Sequence, residues 1–150
     1  MSVPDSRIGV VIVTRDRCSD LMGALEHLSG LPEQPRIVVV DNASSDGTAD
    51  AVEDRYPGFE VIPLDENLGA AGRNVGVAVT RAPYVACSDD DSWWAPGSLS
   101  LAADLFDKHP RLGLLIARIL VGPGEVEVLP VFGYPTKRQR CSSSSGVLSA

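Results

Sequence analysis

The chain has 150 residues, 44% of them hydrophobic, and a net charge of −7 at neutral pH. That is enough for one domain with a real core, and no apolar run approaches the roughly 18 residues of a membrane-crossing helix. The acid excess excludes a general nucleic-acid binder, which needs a basic face. Ile8 to Val13 is a continuous β-branched run, as expected of a strand buried on both faces. Asp20 to Leu31 spaces Leu21, Ala24, Leu25 and Leu28 as one face of a helix, closed by Gly30 and Pro32. Arg36 to Val40 reads as a second buried strand. Ser44 or Ser45 is the expected cap of a helix through Ala49, Ala51 and Val52. Tyr56-Pro57-Gly58 ends that helix, and Phe59 to Pro63 forms a third strand.

Gly69 to Arg81 keeps helical spacing at Ala71, Val75, Ala78 and Val79 despite its glycines. Pro83 to Ser88 is a fourth strand, Leu99 to His109 a helix, and Leu112 to Val121 a fifth strand. Alternating strands and helices imply an α/β fold with a mostly parallel sheet. After Gly122 the composition changes. Gly124 to Phe132 reads weakly as an extended hairpin arm, and the basic, serine-rich stretch 137–150 is expected to be a disordered tail on a domain spanning 1–136. Met1 to Arg7 has no long apolar h-region, so a secretory leader is not expected, and a cytoplasmic location is, with peripheral membrane contact left open. Cys18, Cys87 and Cys141 lack metal or disulfide spacing, and Cys87 reads as a small core residue. His27 and His109 are isolated and read as solvated helix positions.

In open parallel sheets, ligands sit outside the carboxyl ends of the strands, so the post-strand residues carry the information. They are Thr14-Arg15-Asp16-Arg17, then Asp41-Asn42 through Thr48, then Glu66-Asn67-Leu68-Gly69-Ala70-Ala71-Gly72-Arg73-Asn74, then Asp89-Asp90-Asp91. Three adjacent carboxylates repel one another, and a divalent cation shared with a phosphorylated ligand would relieve them. The alternative is that they serve the start of the following helix. Asp41 offers a carboxylate to a ribose hydroxyl or base N–H, or simply begins a turn. Gly69 and Gly72 allow close approach of backbone to a ligand, and Arg73 has the fork geometry for a diphosphate, or for a nearby acid. The G-x-G-x-x-G fingerprint of nicotinamide enzymes does not follow the first strand.

These four motifs, in this order, resemble the family 2 glycosyltransferases over roughly residues 8–121. The resemblance implies a GT-A-like fold and transfer of a sugar from a nucleotide-diphosphate donor to an acceptor hydroxyl, on a cell-envelope glycan or lipid-linked acceptor. It places Thr14 and Asp41 in the nucleoside pocket, with Arg15 and Asn67 among the nucleotide-sugar-binding residues. Arg73, with Gly69 and Gly72 behind it, then falls near the base and diphosphate. Asp89 and Asp91 become the D-x-D pair, one toward the ribose and one on Mn²⁺ or Mg²⁺, with Asp90 able to stand in for either. Most members invert the anomeric carbon and need a carboxylate base on the acceptor. Here the sequence departs from the family. Asp104 and Asp107 fall too early, and Glu125 and Glu127 have no matching context, so no base is identified. The expectation is the donor-binding half of such an enzyme, truncated or frame-shifted after about Gly122, binding donor with little turnover of its own. The alternative is a non-catalytic nucleotide-binding or assembly module.

Overall fold

A computed structural model describes residues 5–121, 126–128 and 146–149. Strands β1 (Ile8–Thr14), β2 (Arg36–Asp41), β3 (Glu60–Pro63) and β4 (Tyr84–Ser88) form one sheet in the order β3-β2-β1-β4. Every pairing within it is parallel. Helices α1 (Cys18–Ser29), α2 (Thr48–Arg55) and α3 (Gly72–Thr80) make the crossovers, and α4 (Ser98–Lys108) follows β4. The expected α/β fold is therefore present.

The β-branched runs end up where their composition requires. Val10, Val11 and Ile12 of β1 and Val38, Val39 and Val40 of β2 are all fully buried. Alternate residues serve opposite faces, as the strand period dictates. Ile8, Val10, Ile12, Ile37 and Val39 pack with Leu21, Leu25 and Leu28 of α1 and with Leu99 and Ala103 of α4. Val11, Val38 and Val40 face the other way, where α3 lies. That helix sits unusually close. A Cβ on Gly76 would overlap Cγ1 of Val11 and come within 3.1 Å of Cγ2 of Val40. The glycines that weaken α3 as an isolated helix are thus what let it seat on the sheet.

Because the strands are parallel, their carboxyl ends share one edge. Thr14 stands beside Asp41, Asp41 beside Pro63, and Ile12 beside Ser88. Two turns at this edge are built differently from expectation. Thr48 starts α2 behind Gly47, whose φ is +79°. The free N–H and hydroxyl of Thr48 are taken by Asp46, not by Ser44 or Ser45. Ser44 instead donates its hydroxyl to Asp41 and accepts the Asp16 N–H at 2.9 Å. It ties the first two post-strand loops together.

Three further expectations are corrected. The fifth strand covers only Arg118–Val121 (β6), and it belongs to a second sheet. That sheet has the order β5-β8-β6-β7, with β5 (Ser92–Trp94), β7 (Val126–Val128) and β8 (Gly146–Ser149). Residues 112–117 instead run as irregular chain beside an apolar groove of about 460 Å³ that includes Ala86, Leu99, Leu105 and Phe106. An apolar run without periodicity names no pairing partner, and this one finds none. Cys87 is exposed, not in the core. β4 is an edge strand, and α3 sits over β1 and β2 without covering it. His27 is not simply solvated, for its ring stacks on Trp93 with centroids 3.9 Å apart. The expected hairpin arm and tail fall largely outside the described residues; of the tail, Gly146–Ser149 is described and forms β8.

Candidate functional site

A cleft of about 370 Å³ opens at the carboxyl edge of the parallel sheet. It is lined by Val13, Thr14, Arg15, Arg17, Asn42, Gly69, Ala70, Arg73 and Asp90. Three arginines thus share the lining with one buried carboxylate, and Arg17 pairs with it, while Arg73 pairs with Asp89 and Arg15 with Asp16. Thr14 ends β1, is 2% exposed, and donates its hydroxyl to Oδ2 of Asp90 at 3.0 Å. Arg17 reaches Oδ1 of the same carboxylate at 2.9 Å. Burial pushes the Asp90 carboxyl above the usual carboxylate range, and the Thr14 hydrogen bond and the Arg17 charge oppose that push.

The acidic triplet lies on a turn between β4 and β5. Ser92 N–H donates to the Asp89 carbonyl at 3.3 Å, and the Asp89 N–H donates to the Ser92 hydroxyl at 3.1 Å. The turn splays the three side chains. Asp89 points out to Arg73, Asp90 points in, and Asp91 meets Arg17 at 3.1 Å. The hydrogen bond from Arg17 to Asp91 is the main reason the Arg17 guanidinium holds its proton more tightly than usual. None of the three serves α4, which begins behind Gly97 without a side-chain cap.

Among the expected site residues, Thr14, Arg15, Gly69, Arg73 and Asp90 line the cleft together. The others stand around it. Asp41 is 4% exposed and accepts from the Ser44 N–H at 3.1 Å, the turn-former among its two readings. Asn67 accepts the Gly69 N–H at 2.8 Å and so shapes the turn at Gly69, whose φ is +56°. Gly72 is buried, and a Cβ there would press within 3.3 Å of Val13 and Asn42. Asp89 and Asp91 join the cleft only through their arginines.

Sequence reasoning missed Arg17 and Asn42. Asn42 clamps the third loop, since its Oδ1 accepts the Leu68 N–H at 3.0 Å and its Nδ2 donates to the Gly69 carbonyl at 2.9 Å. Asn42 directly follows β2 and Arg17 lies in the loop between β1 and α1, and those post-strand positions were the available signal. Both downstream acids of α4 are ion-paired, since Arg7 holds Asp104 at 2.9 Å and Asp107 at 2.5 Å, and neither lines this cleft.

The donor chemistry suits a hard divalent cation, but only a shared one. Among the described residues no three His, Cys, Asp or Glu side chains group so as to hold a metal. Mg²⁺ asks for one or two protein carboxylates and completes its shell with phosphate and water. Exposed Asp91 and Asp89 fit that partial role, and a protein-only cage does not fit.

A parallel sheet with its polar loops gathered at one edge is the ligand-binding layout of an open α/β domain. The sequence model described as Glycosyl transferase family 2 matches residues 9–143. A curated relative, the N-acetylglucosaminyl-diphospho-decaprenol L-rhamnosyltransferase of Mycobacterium tuberculosis, is 31% identical across 94% of this chain and 48% of its own length. The succinoglycan biosynthesis protein ExoU of Rhizobium meliloti is 29% identical over 60% of this chain and 28% of its own. S. aureus TarS 1-349 shares the fold with a TM-score of 0.61 at 24% identity, over 77% of this chain and 34% of that one. The mannosyltransferase PcManGT from Pyrobaculum calidifontis, solved with GDP-Man and Mn²⁺, does so with a TM-score of 0.58 at 22% identity, over 78% and 36%. The chain belongs to the family 2 glycosyltransferases. It spans about half the length of the rhamnosyltransferase it matches.

Proposed function

We propose that this chain binds the nucleotide-diphosphate sugar for a metal-dependent, inverting sugar transfer to an acceptor hydroxyl on a cell-envelope or lipid-linked glycan. The observation that carries the reading is the strand-edge cleft, lined by Arg15, Arg17 and Arg73 together with buried Asp90. A cleft lined by three arginines suits an anionic ligand, and the guanidinium fork matches a diphosphate. The named relative acts on a lipid-linked N-acetylglucosaminyl diphosphate, and solved neighbours hold GDP-Man with Mn²⁺ or UDP-GlcNAc, which supports the same ligand class here.

In this reading Thr14 and Asp90 form the floor of the site, and the Gly69 turn brings backbone close to the ligand. Arg73 and Arg15 bear on the diphosphate. Asp91 and Asp89 would hold the divalent cation, which when bound neutralises charge on the leaving diphosphate. Asp104 and Asp107 pair with Arg7 and neither lines the strand-edge cleft, where the acceptor hydroxyl would need a base. We therefore assign to this chain donor binding with little or no turnover alone.

A thermal-shift titration with UDP, GDP and dTDP, each with and without Mn²⁺, tests it. Stabilisation that requires both metal and nucleotide supports the donor site and identifies the base. A cooperatively melting protein that responds to no nucleotide refutes it. Sugar transfer by the purified chain, abolished by Asp91→Ala, would refute the assignment of binding without turnover.

A further inference from the structure

The acidic triplet is already neutralised from within. Arg17 spans Asp90 at 2.9 Å, Asp91 at 3.1 Å and Asp20 at 3.0 Å, and Arg73 pairs with Asp89. Two guanidinium groups thus cover the three carboxylates of the triplet, so a bare dication must compete with an arginine for each of them. The Arg17 side chain is 43% exposed, and the residue precedes α1 without capping it. Asp20, in the first turn of α1, gives the guanidinium a partner away from the triplet. Arg17 itself lines the cleft.

A guanidinium fork fits a diphosphate as well as it fits a carboxylate. We infer that Arg17 is a partner-exchanging clamp: it holds Asp90 and Asp91 in the free protein, transfers its fork to the diphosphate when donor binds, and thereby uncovers the carboxylates for the divalent cation. The inference rests on the donor-site reading above. It makes cation and diphosphate binding interdependent, and linkage makes that dependence reciprocal. Arg17 becomes a binding and positioning residue for the site, and the triplet becomes a cation site only when the ligand is present.

The experiment titrates Mn²⁺ alone into the full chain and reads free Mn²⁺ by electron paramagnetic resonance. Arg17→Gln is expected to bind Mn²⁺ roughly tenfold more tightly than wild type, a coupling of ordinary size. Arg17→Lys, which keeps the charge and loses the fork, falls between them. Asp20→Asn, which removes only the partner outside the triplet, binds bare Mn²⁺ no better than wild type. Equal Mn²⁺ affinity in wild type and Arg17→Gln overturns the clamp. If Arg17→Gln does not melt cooperatively, Arg17→Lys decides, and wild-type affinity in that variant overturns it. A parallel melt with Mn²⁺ and UDP, GDP or dTDP separates the two readings. Stabilisation by none of the three removes the donor site and the clamp with it. Stabilisation with unchanged bare-Mn²⁺ affinity in Arg17→Gln removes the clamp alone.

Discussion

Gly76→Ala tests how the sheet positions the cleft. Gly76 sits in α3 directly over Val11 and Val40, both fully buried. The new methyl carbon would overlap Cγ1 of Val11, which is β-branched, held in a strand and unable to turn aside. Carbon atoms pack at about 3.5–4.0 Å, so α3 must retreat by on the order of 1 Å. Overpacking of this kind costs about 1–3 kcal/mol, and a clash with rigid core atoms belongs near the top of that range. Replacing an interior helical Gly by Ala returns about 1 kcal/mol of helix propensity. The net expectation is about 2 kcal/mol of destabilisation, read as a lower urea midpoint at unchanged slope. Arg73 is the second residue of α3, so the retreat also displaces it from the cleft, and nucleotide binding weakens in the variant molecules that remain folded. Adding Val11→Ala makes room for the methyl group, so the pair should be more stable than the sum of its single losses. A Gly76→Ala protein as stable as wild type would refute the close seating of α3 and the account of why its glycines are there.

The remaining expectations concern loops and charges. Asn42→Ala removes two hydrogen bonds to the 67–69 loop and should cost about 2 kcal/mol, with faster hydrogen exchange at the Leu68 amide. Arg7 lowers the Asp5 carboxyl to about 2, so that pair stabilises the fold above the ordinary carboxylate pKa, and its contribution is lost as pH falls toward 2. Arg7→Gln should therefore flatten the acid limb of a stability–pH curve between about pH 4 and 2. Asp90 runs the other way. Its raised value means the folded state holds the proton longer, so its share of stability is present below the unfolded carboxylate pKa and is lost as pH rises through the folded one. Asp90→Asn keeps an acceptor for Thr14 without the buried charge. It should leave stability at pH 7 unchanged or higher while weakening nucleotide binding, measured by melting and by titration. Cys87, exposed on an edge strand, should be alkylated rapidly in the native protein, as peptide mass spectrometry would show.

The parallel sheet was legible because β1 and β2 are dominated by β-branched residues and α1 repeats leucine at helical spacing. The edge carrying the site was legible too, since parallel strands must present their post-strand loops together. What pairs with what was not. Residues 112–117 are as apolar as a strand yet lie unpaired, and Ser92–Trp94 is too short to announce itself and becomes β5 only through β8. The exposure of Cys87 depended on β4 being outermost, which strand order decides and local sequence does not. Within the site, Arg17 carried no residue-type signal to separate it from Arg15. Only the fold shows that its guanidinium spans two of the three adjacent aspartates.

The stack of His27 on Trp93 has a practical use. The chain has two tryptophans, Trp93 and Trp94, and both lie within three residues of Asp91. All indole emission therefore originates beside the acidic turn. A ring lying 3.9 Å away on α1, the helix that follows Arg17, makes that emission sensitive to small shifts between the two segments. The protein carries its own optical probe, and ligand titrations can be followed by intrinsic fluorescence without a label.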